Sequence, residues 1–125
     1  MTIEGITWHA VTLDGQQQHA GMKDFLGKLG LAPAMDVPGF VLYQMPNGTT
    51  LELYTPQGVP PYGYNGAVAV GFRVDDIEAA SAAVAAAGGE LLGEITRMAD
   101  IGYAYRHFRG PDGHVYGLNE QKTPA

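Results

Sequence analysis

The feature that most constrains this fold is an internal repeat. The segments MPNGTTLELYT (residues 45–55) and GPDGHVYGLNE (residues 110–120) align without a gap. Matched positions carry identical or similar residues: Pro46 with Pro111, Asn47-Gly48 with Asp112-Gly113, and Leu53 with Leu118. Near the start of each half, WHAVTLDG lies over AVGFRVDD. A chain that repeats its first strand and its last hairpin predicts two similar modules.

The residue pattern within each half predicts strands around one helix. TTLELYT alternates, with Leu51 and Leu53 on one side and Glu52 and Tyr54 on the other, which is typical of a strand with one face on a core. GQQQHAGMKDFLGKLG has apolar residues at helical spacing and predicts a helix with Gly30 as its C-terminal cap. DDIEAASAAVAAAGG predicts a second helix, and PNG and GPDG predict hairpin turns.

Together these elements predict an α+β fold of two βαβββ modules, with a curved mixed sheet around one cleft. The predicted boundaries are residues 1–57 for module one and 67–121 for module two. The Pro- and Gly-rich linker, PQGVPPYGYNG, spans residues 56–66. One such unit cannot bury both faces of its sheet, whereas two units side by side can close around a shared cleft.

Composition excludes several classes of function. The 125 residues suffice for one domain, and 46% are hydrophobic, so a core can form. The net charge of −6 argues against a nucleic-acid or anionic-membrane partner, and the absence of cysteine excludes disulfides and thiolate metal sites. The start MTIEGITWHA lacks the pattern of a signal peptide and no apolar run could span a membrane, so we expect a soluble, cytoplasmic domain.

The whole chain resembles the vicinal oxygen chelate superfamily, which contains glyoxalase I, extradiol dioxygenases, fosfomycin-resistance enzymes and bleomycin-binding proteins. FLGKLGL is similar to the end of that family's first helix. VGFRVDDIEAASAAVAAAGGELL, followed by FRGPDGHVYGLNE, is similar to nearly all of its second module. The resemblance implies the glyoxalase-like fold and a homodimer, and it leaves the chemistry open because the superfamily supports many activities.

The resemblance also implies four cleft-facing positions that hold metal ligands in metal-dependent members. Here these positions carry Trp8, Glu52, Ala69 and Gly117, so only Glu52 retains a donor, unless a shifted first strand brings His9 inward. Metal ligation by His9 and Glu52 is therefore the alternative to a site without metal, and no cofactor is expected. The small residues Ala69, Gly71 and Gly117 favour an enlarged cavity where the metal would otherwise sit.

The candidate ligand-binding residues are Trp8, Glu52, Tyr54, Arg73 and His107. Trp8 is equally consistent with a core residue and with a stacking wall of a pocket. Arg73 is predicted to share the cleft face with Ala69, where it could pair with Glu52 or bind an anionic ligand. YAYRHF places Tyr103, Tyr105 and His107 on one face, and the pattern leaves open which face is turned to the cleft.

The leading hypothesis is a small-molecule-binding protein of the bleomycin-resistance type that has lost most of the family's metal ligands. The first alternative is a metal-independent isomerase, lyase or hydrolase with Glu52 or His107 as catalytic acid or base. The second is a metal-dependent enzyme with a rearranged site at His9 and Glu52. An interaction or regulatory module is a further possibility, which no sequence feature supports.

Overall fold

The structure is a computed structural model of the chain and describes residues 1–122. Its elements follow the order strand, helix, three strands, and this order occurs twice. The first series is β1 (Ile3–Thr12), α1 (Gln16–Lys28), β2 (Met35–Val37), β3 (Phe40–Gln44) and β4 (Thr50–Tyr54). The second series is β5 (Val68–Val74), α2 (Ile77–Ala86), β6 (Glu90–Met98), β7 (Tyr103–Arg109) and β8 (Val115–Gln121), with a short 3-10 helix, η1 (Ala99–Ile101), before β7. The predicted α+β class and the twofold βαβββ order are confirmed.

The two predicted hairpin turns form by the same local chemistry. Gly48 has a φ of 86° and Gly113 a φ of 84°, the left-handed region that favours glycine. Asn47 Oδ1 accepts a hydrogen bond from the Thr49 amide at 3.1 Å, and Asp112 Oδ1 accepts one from the His114 amide at 3.0 Å. The matched side chains therefore perform the same task in both halves.

The helices begin and end at residues suited to those positions. At the end of α1, Gly30 has a φ of 93°, its amide donates to the Gly27 carbonyl, and the Leu31 amide donates to the Leu26 carbonyl. This pair of bonds is a Schellman motif and confirms Gly30 as the cap. Helix α2 begins at the N-cap Asp76, whose Oδ1 accepts from the amides of Glu78 and Ala79 at 3.1 and 3.0 Å.

The chain divides into two compact units. The first unit is His9–Val68, and the second unit combines residues 1–8 with residues 69–122. In the first unit, β3 pairs antiparallel with both β2 and β4. Its buried core consists of Leu26, Val41, Tyr43 and Leu53. Because side chains alternate along a strand, Glu52 and Tyr54 lie on the sheet face opposite Leu53 and this core.

In the second unit, the strand order is β5-β8-β7-β6. Strand β5 pairs parallel with β8, whereas β7 pairs antiparallel with both β8 and β6, so the sheet is mixed as predicted. The core under α2 consists of Val74, Ile77, Ala80, Ala104, Phe108 and Leu118. Within residues 1–122, neither helix has the length and apolar character needed to cross a membrane.

Candidate functional site

A row of four aromatic rings covers one face of the second unit's sheet. Tyr103, Tyr105 and His107 alternate along β7 with Ala104 and Phe108, which belong to the core. The ring centroids of Tyr103 and Tyr105 are 6.1 Å apart, those of Tyr105 and His107 are 5.6 Å apart, and those of His107 and Trp8 are 5.4 Å apart. We call these four residues the aromatic row. The aromatic row lies on the face of β7 that is turned away from α2.

Trp8 occupies the space that two glycines leave. An added Cβ at Gly71 would lie 2.9 Å from Trp8 Cε3, and one at Gly117 would lie 3.1 Å from the same atom. Gly71 and Gly117 are register partners on β5 and β8, so the indole lies across both strands. The expectation of an enlarged cavity at these glycines is therefore wrong. The indole, which is only 7% exposed, fills the space.

Arg73 is anchored on this same face by Asn119. Arg73 Nε donates to Asn119 Oδ1 at 2.6 Å, and Thr7 Oγ1 donates to the same oxygen at 3.0 Å. Asn119 is only 2% exposed. Sequence reasoning did not identify Asn119 or Thr7. Arg73 and Asn119 are register partners on β5 and β8. Knowledge of this strand pairing would have identified Asn119 as the neighbour of Arg73.

Burial controls the protonation of His107. The imidazole is 8% exposed, and its desolvation lowers the pKa of His107 to about 4. The ring is therefore neutral at pH 7, which suits an apolar stack better than a charged ring would. A base with so low a pKa is a weak proton acceptor, so the geometry favours His107 as a stacking residue over His107 as a general base.

In the first unit, Glu52 and Tyr54 form a hydrogen-bonded pair. The Tyr54 hydroxyl donates to Glu52 Oε1 at 2.8 Å, and both side chains are half-buried. The ring centroid of Tyr54 is 5.1 Å from that of Phe40 and 5.2 Å from that of Tyr64. Phe40 and Tyr64 were not predicted as site residues. Phe40 is the register partner of Tyr54. Tyr64 lies in the predicted linker, which has no regular hydrophobic spacing that would have indicated a buried residue.

The surroundings of Tyr54 keep its proton on the phenol. Burial raises the pKa of Tyr54 far above its ordinary value, and the negative charge of Glu52 and the contact with Tyr64 raise it further. Tyr54 is therefore a permanent donor, and it holds one carboxylate oxygen of Glu52 in a defined position. An oriented carboxylate beside aromatic rings can accept a hydrogen bond or a proton from a ligand.

The histidines outside the aromatic row have separate environments. His9 Nδ1 is 3.0 Å from the Thr50 carbonyl oxygen, and His19 Nε2 is 3.0 Å from the Leu53 carbonyl oxygen. Since a carbonyl only accepts, these two nitrogens carry the protons. His114 is exposed beside Asp112. In His9 the lone pair is thus on Nε2, a tautomer that metal-binding histidines commonly adopt.

Two of the four positions that the family resemblance implies for metal ligands, Ala69 and Gly117, carry no side-chain donor atom. The Trp8 indole lies against Gly117. Among residues 1–122, no group of three or more His, Asp or Glu side chains is placed to hold a metal ion. Glu52 and His9 are the two remaining donors, and both lie in the first unit.

A polar surface groove also lies in the first unit, beside α1. It encloses about 420 Å³ and is lined by Gln16, His19, Ala20, Lys23, Asp36, Val37, Pro38, Gly39 and Thr55. Lys23 Nζ and Asp36 Oδ2 are 2.9 Å apart, so the groove's two charged groups already neutralise each other. None of the predicted site residues lines it.

The five predicted ligand-binding residues thus fall into two groups, each within one compact unit. Glu52 and Tyr54 belong to the first unit, and Trp8, Arg73 and His107 belong to the second. Within each group the structure brings the residues onto one face of the sheet. Their role in binding stays a prediction.

Comparison with known proteins identifies the fold. The family model of the Glyoxalase/Bleomycin resistance protein/Dioxygenase superfamily matches residues 9–117. A search of curated protein sequences gives no match.

Solved structures with this fold include two epimerases. Methylmalonyl-CoA epimerase from Streptomyces coelicolor is 16% identical, with a TM-score of 0.65, over 98% of this chain and 100% of that one. The enzyme from Mycobacterium tuberculosis is 15% identical, with a TM-score of 0.66, over 96% of this chain and 89% of that one. A glyoxalase/bleomycin resistance protein/dioxygenase superfamily member from Vibrio splendidus is 18% identical, with a TM-score of 0.60, over 96% of this chain and 100% of that one. At these identities the likeness is one of fold.

Proposed function

Because this chain belongs to the Glyoxalase/Bleomycin resistance protein/Dioxygenase superfamily, we propose that it binds a small organic molecule without the family's metal ion. The observation that carries the proposal is the position of Trp8, whose indole covers Gly117, one of the positions that hold metal ligands in metal-dependent relatives. The ligand-binding residues are Trp8, Glu52, Tyr54, Arg73 and His107.

The aromatic row supports the proposal because it offers flat apolar surface together with a few polar groups. Tyr103 and Tyr105 are half-buried, so part of each ring remains accessible beside the buried rings of Trp8 and His107. Arg73 and Asn119 add polar groups on the same face. Small-molecule sites commonly combine aromatic walls with few, well-placed polar side chains.

Relatives of the same fold give further support. The epimerase from Streptomyces coelicolor was solved in complex with 2-nitronate-propionyl-CoA, and another methylmalonyl-CoA epimerase in complex with methylmalonyl-CoA. The fold therefore accommodates organic ligands in other proteins.

A metal-independent enzyme is the second candidate, and the Tyr54–Glu52 hydrogen bond favours it. This bond orients a half-buried carboxylate, as an isomerase, lyase or hydrolase requires of its acid or base. Replacing Glu52 with Gln preserves an acceptor for Tyr54 but removes the base. Loss of turnover with retained ligand binding in Glu52→Gln would support catalysis, and unchanged turnover would exclude Glu52 as the base.

A homodimer in the cytoplasm, with module boundaries at residues 1–57 and 67–121, completes the proposal. The homodimer comes from the family resemblance. Light scattering coupled to size-exclusion chromatography tests it, because the chain's mass of 13.3 kDa is readily distinguished from twice that value.

Ligand binding is tested with a panel of flat aromatic compounds in buffer containing a chelator. Trp8 is the only tryptophan, so its fluorescence reports on one place in the molecule. The proposal expects saturable quenching and a rise in the melting temperature with at least one compound. If no compound in a broad panel produces either signal, the proposal is wrong.

A further inference from the structure

Among residues 1–122, the Arg73 guanidinium is hydrogen-bonded through only one of its three nitrogens. Its Nε is committed to Asn119 Oδ1 at 2.6 Å. In the part of the chain that the structure describes, its two terminal Nη groups have neither a carboxylate partner nor a hydrogen-bond acceptor. The side chain is half-buried, so water solvates the guanidinium less completely than it would on an open surface. An anchored arginine with its fork unpaired is a common way to bind a carboxylate.

The Asn119 amide fixes the position of the guanidinium. Because Arg73 Nε can only donate, the amide must place its oxygen toward Arg73 and its nitrogen on the other side. That nitrogen lies 3.4 Å from the position a Cβ would take at Gly71. Asn119 is only 2% exposed, and its oxygen accepts from both Arg73 Nε and Thr7 Oγ1.

Strand register places these donors next to the aromatic row. Arg73 pairs with Asn119 across β5 and β8, and Asn119 pairs with Tyr105 across β8 and β7. Neighbouring strands are about 4.8 Å apart, so Arg73 and Tyr105 are separated by roughly 10 Å of sheet. An anion held by the donors would therefore have its remaining atoms above or beside the Tyr105 ring.

From this arrangement we infer that the ligand is a planar aromatic carboxylate, a deduction that rests on the proposed binding function. The carboxylate accepts hydrogen bonds from the two Nη groups of Arg73. Its ring packs on Tyr105 and Tyr103. The aromatic surface alone would accept any flat apolar molecule, and the Nη groups of Arg73 select those that carry a carboxylate.

The test compares three probes of similar size. Benzoate has the ring and the charge, benzamide has the ring without the charge, and cyclohexanecarboxylate has the charge without the aromatic ring. Binding is measured by titration calorimetry and by Trp8 fluorescence. We expect benzoate to bind at least about tenfold more tightly than either of the others, since a charge-assisted, forked hydrogen bond is worth that much or more.

Variants then assign the effect to Arg73. In Arg73→Gln the affinity for benzoate should fall about tenfold, to near that for benzamide, while benzamide binding stays unchanged. Arg73→Lys retains the charge but lacks the fork, so it should recover only part of the loss. The matched control is Arg97→Gln, which removes an exposed arginine paired with Glu78 and should leave all three affinities unchanged.

Each outcome discriminates. If neutral aromatic compounds bind as tightly as benzoate, or if Arg73→Gln and Arg97→Gln bind benzoate equally, the carboxylate inference is overturned while the binding function stands. If none of the three probes and no compound of the broader panel binds, the carboxylate inference and the proposed binding function are both overturned. The comparison of probes on the unaltered protein needs no variant, so it decides the question even if Arg73→Gln fails to fold.

Discussion

The Trp8 indole stacks on the His107 imidazole, with ring centroids 5.4 Å apart and planes inclined by 26°. Both side chains are buried, and the indole separates the two glycines below it from solvent. The stack is most stable with a neutral imidazole, because a charged ring at this position would lose its hydration. The pair therefore links the protonation of one histidine to the stability of the second unit.

The stability of the protein should fall in mild acid through His107. Burial lowers the pKa of His107 in the folded protein to about 4, whereas the unfolded chain has an ordinary value of about 6.5. Below pH 6.5 the unfolded state binds the proton first, so stability is lost between pH 6.5 and 4 and no further loss from this group follows below pH 4. Linkage gives a loss of about 2 kcal/mol at pH 5 relative to pH 8. Urea denaturation at these two pH values measures it.

His107→Phe isolates this contribution, since phenylalanine retains a ring to stack on Trp8 but does not titrate. The difference in unfolding free energy between the variant and the unaltered protein should change by about 2 kcal/mol between pH 8 and pH 5. A difference that is the same at both pH values would show that His107 is not the buried neutral group described here.

Gly71 is the position where an added methyl group should be most costly. In Gly71→Ala the new Cβ would lie 2.9 Å from Trp8 Cε3 and 3.2 Å from Trp8 Cβ, and the buried indole cannot move away freely. Overpacking of this kind typically costs about 1–3 kcal/mol of unfolding free energy. The nearest contact at Gly117 is 3.1 Å, so Gly117→Ala should cost less. Denaturant titration of both variants measures which of them loses more unfolding free energy.

A double-mutant cycle tests the cause of that cost. If the indole is responsible, Gly71→Ala should be much less destabilising in a Trp8→Leu background, because the smaller side chain leaves space above β5. An equal cost in both backgrounds would place the strain in the backbone and contradict the packing described for Trp8.

Tyr54→Phe should weaken the first unit by removing the donor to Glu52. The bond is half-buried and one partner is a carboxylate, so the expected loss is about 1–3 kcal/mol of unfolding free energy. Tyr116→Phe is the matched control, because the Tyr116 hydroxyl donates to the Asp112 carboxylate at an exposed position. The control should lose less, since water replaces the exposed bond. Equal losses in the two variants would mean that burial adds nothing at Tyr54.

Local patterns predicted the two hairpin turns and the Gly30 cap because the responsible residues are neighbours in sequence. Asn47-Gly48 and Asp112-Gly113 form their turns with their own backbone, and Gly30 ends α1 through bonds within one turn. Strand β2, with only three residues, is too short to show a period.

The missed parts of the site depend on contacts between distant segments. Asn119 is 46 residues from Arg73 and 112 from Thr7, and the parallel register that joins β5 to β8 leaves no mark in either strand's own pattern. The space above Gly71 and Gly117 was predicted to be open, since glycine has no side chain. Whether another residue fills such a space depends on the position of β1, which single-strand patterns do not contain.

Addition of divalent metal ions should not stabilise the protein through Glu52. Ala69 and Gly117 offer no donor, so Glu52 and His9 are the two donors that remain of the positions considered for a metal, and a stable site needs at least one more. We expect Zn²⁺, Ni²⁺, Mn²⁺ and Fe²⁺ to change the melting temperature equally in the unaltered protein and in Glu52→Gln. The measurement is thermal unfolding of metal-stripped protein, purified without a metal-affinity tag, before and after each addition. A stabilisation by one metal that disappears in both Glu52→Gln and His9→Gln would establish the rearranged metal site and contradict the metal-independent proposal.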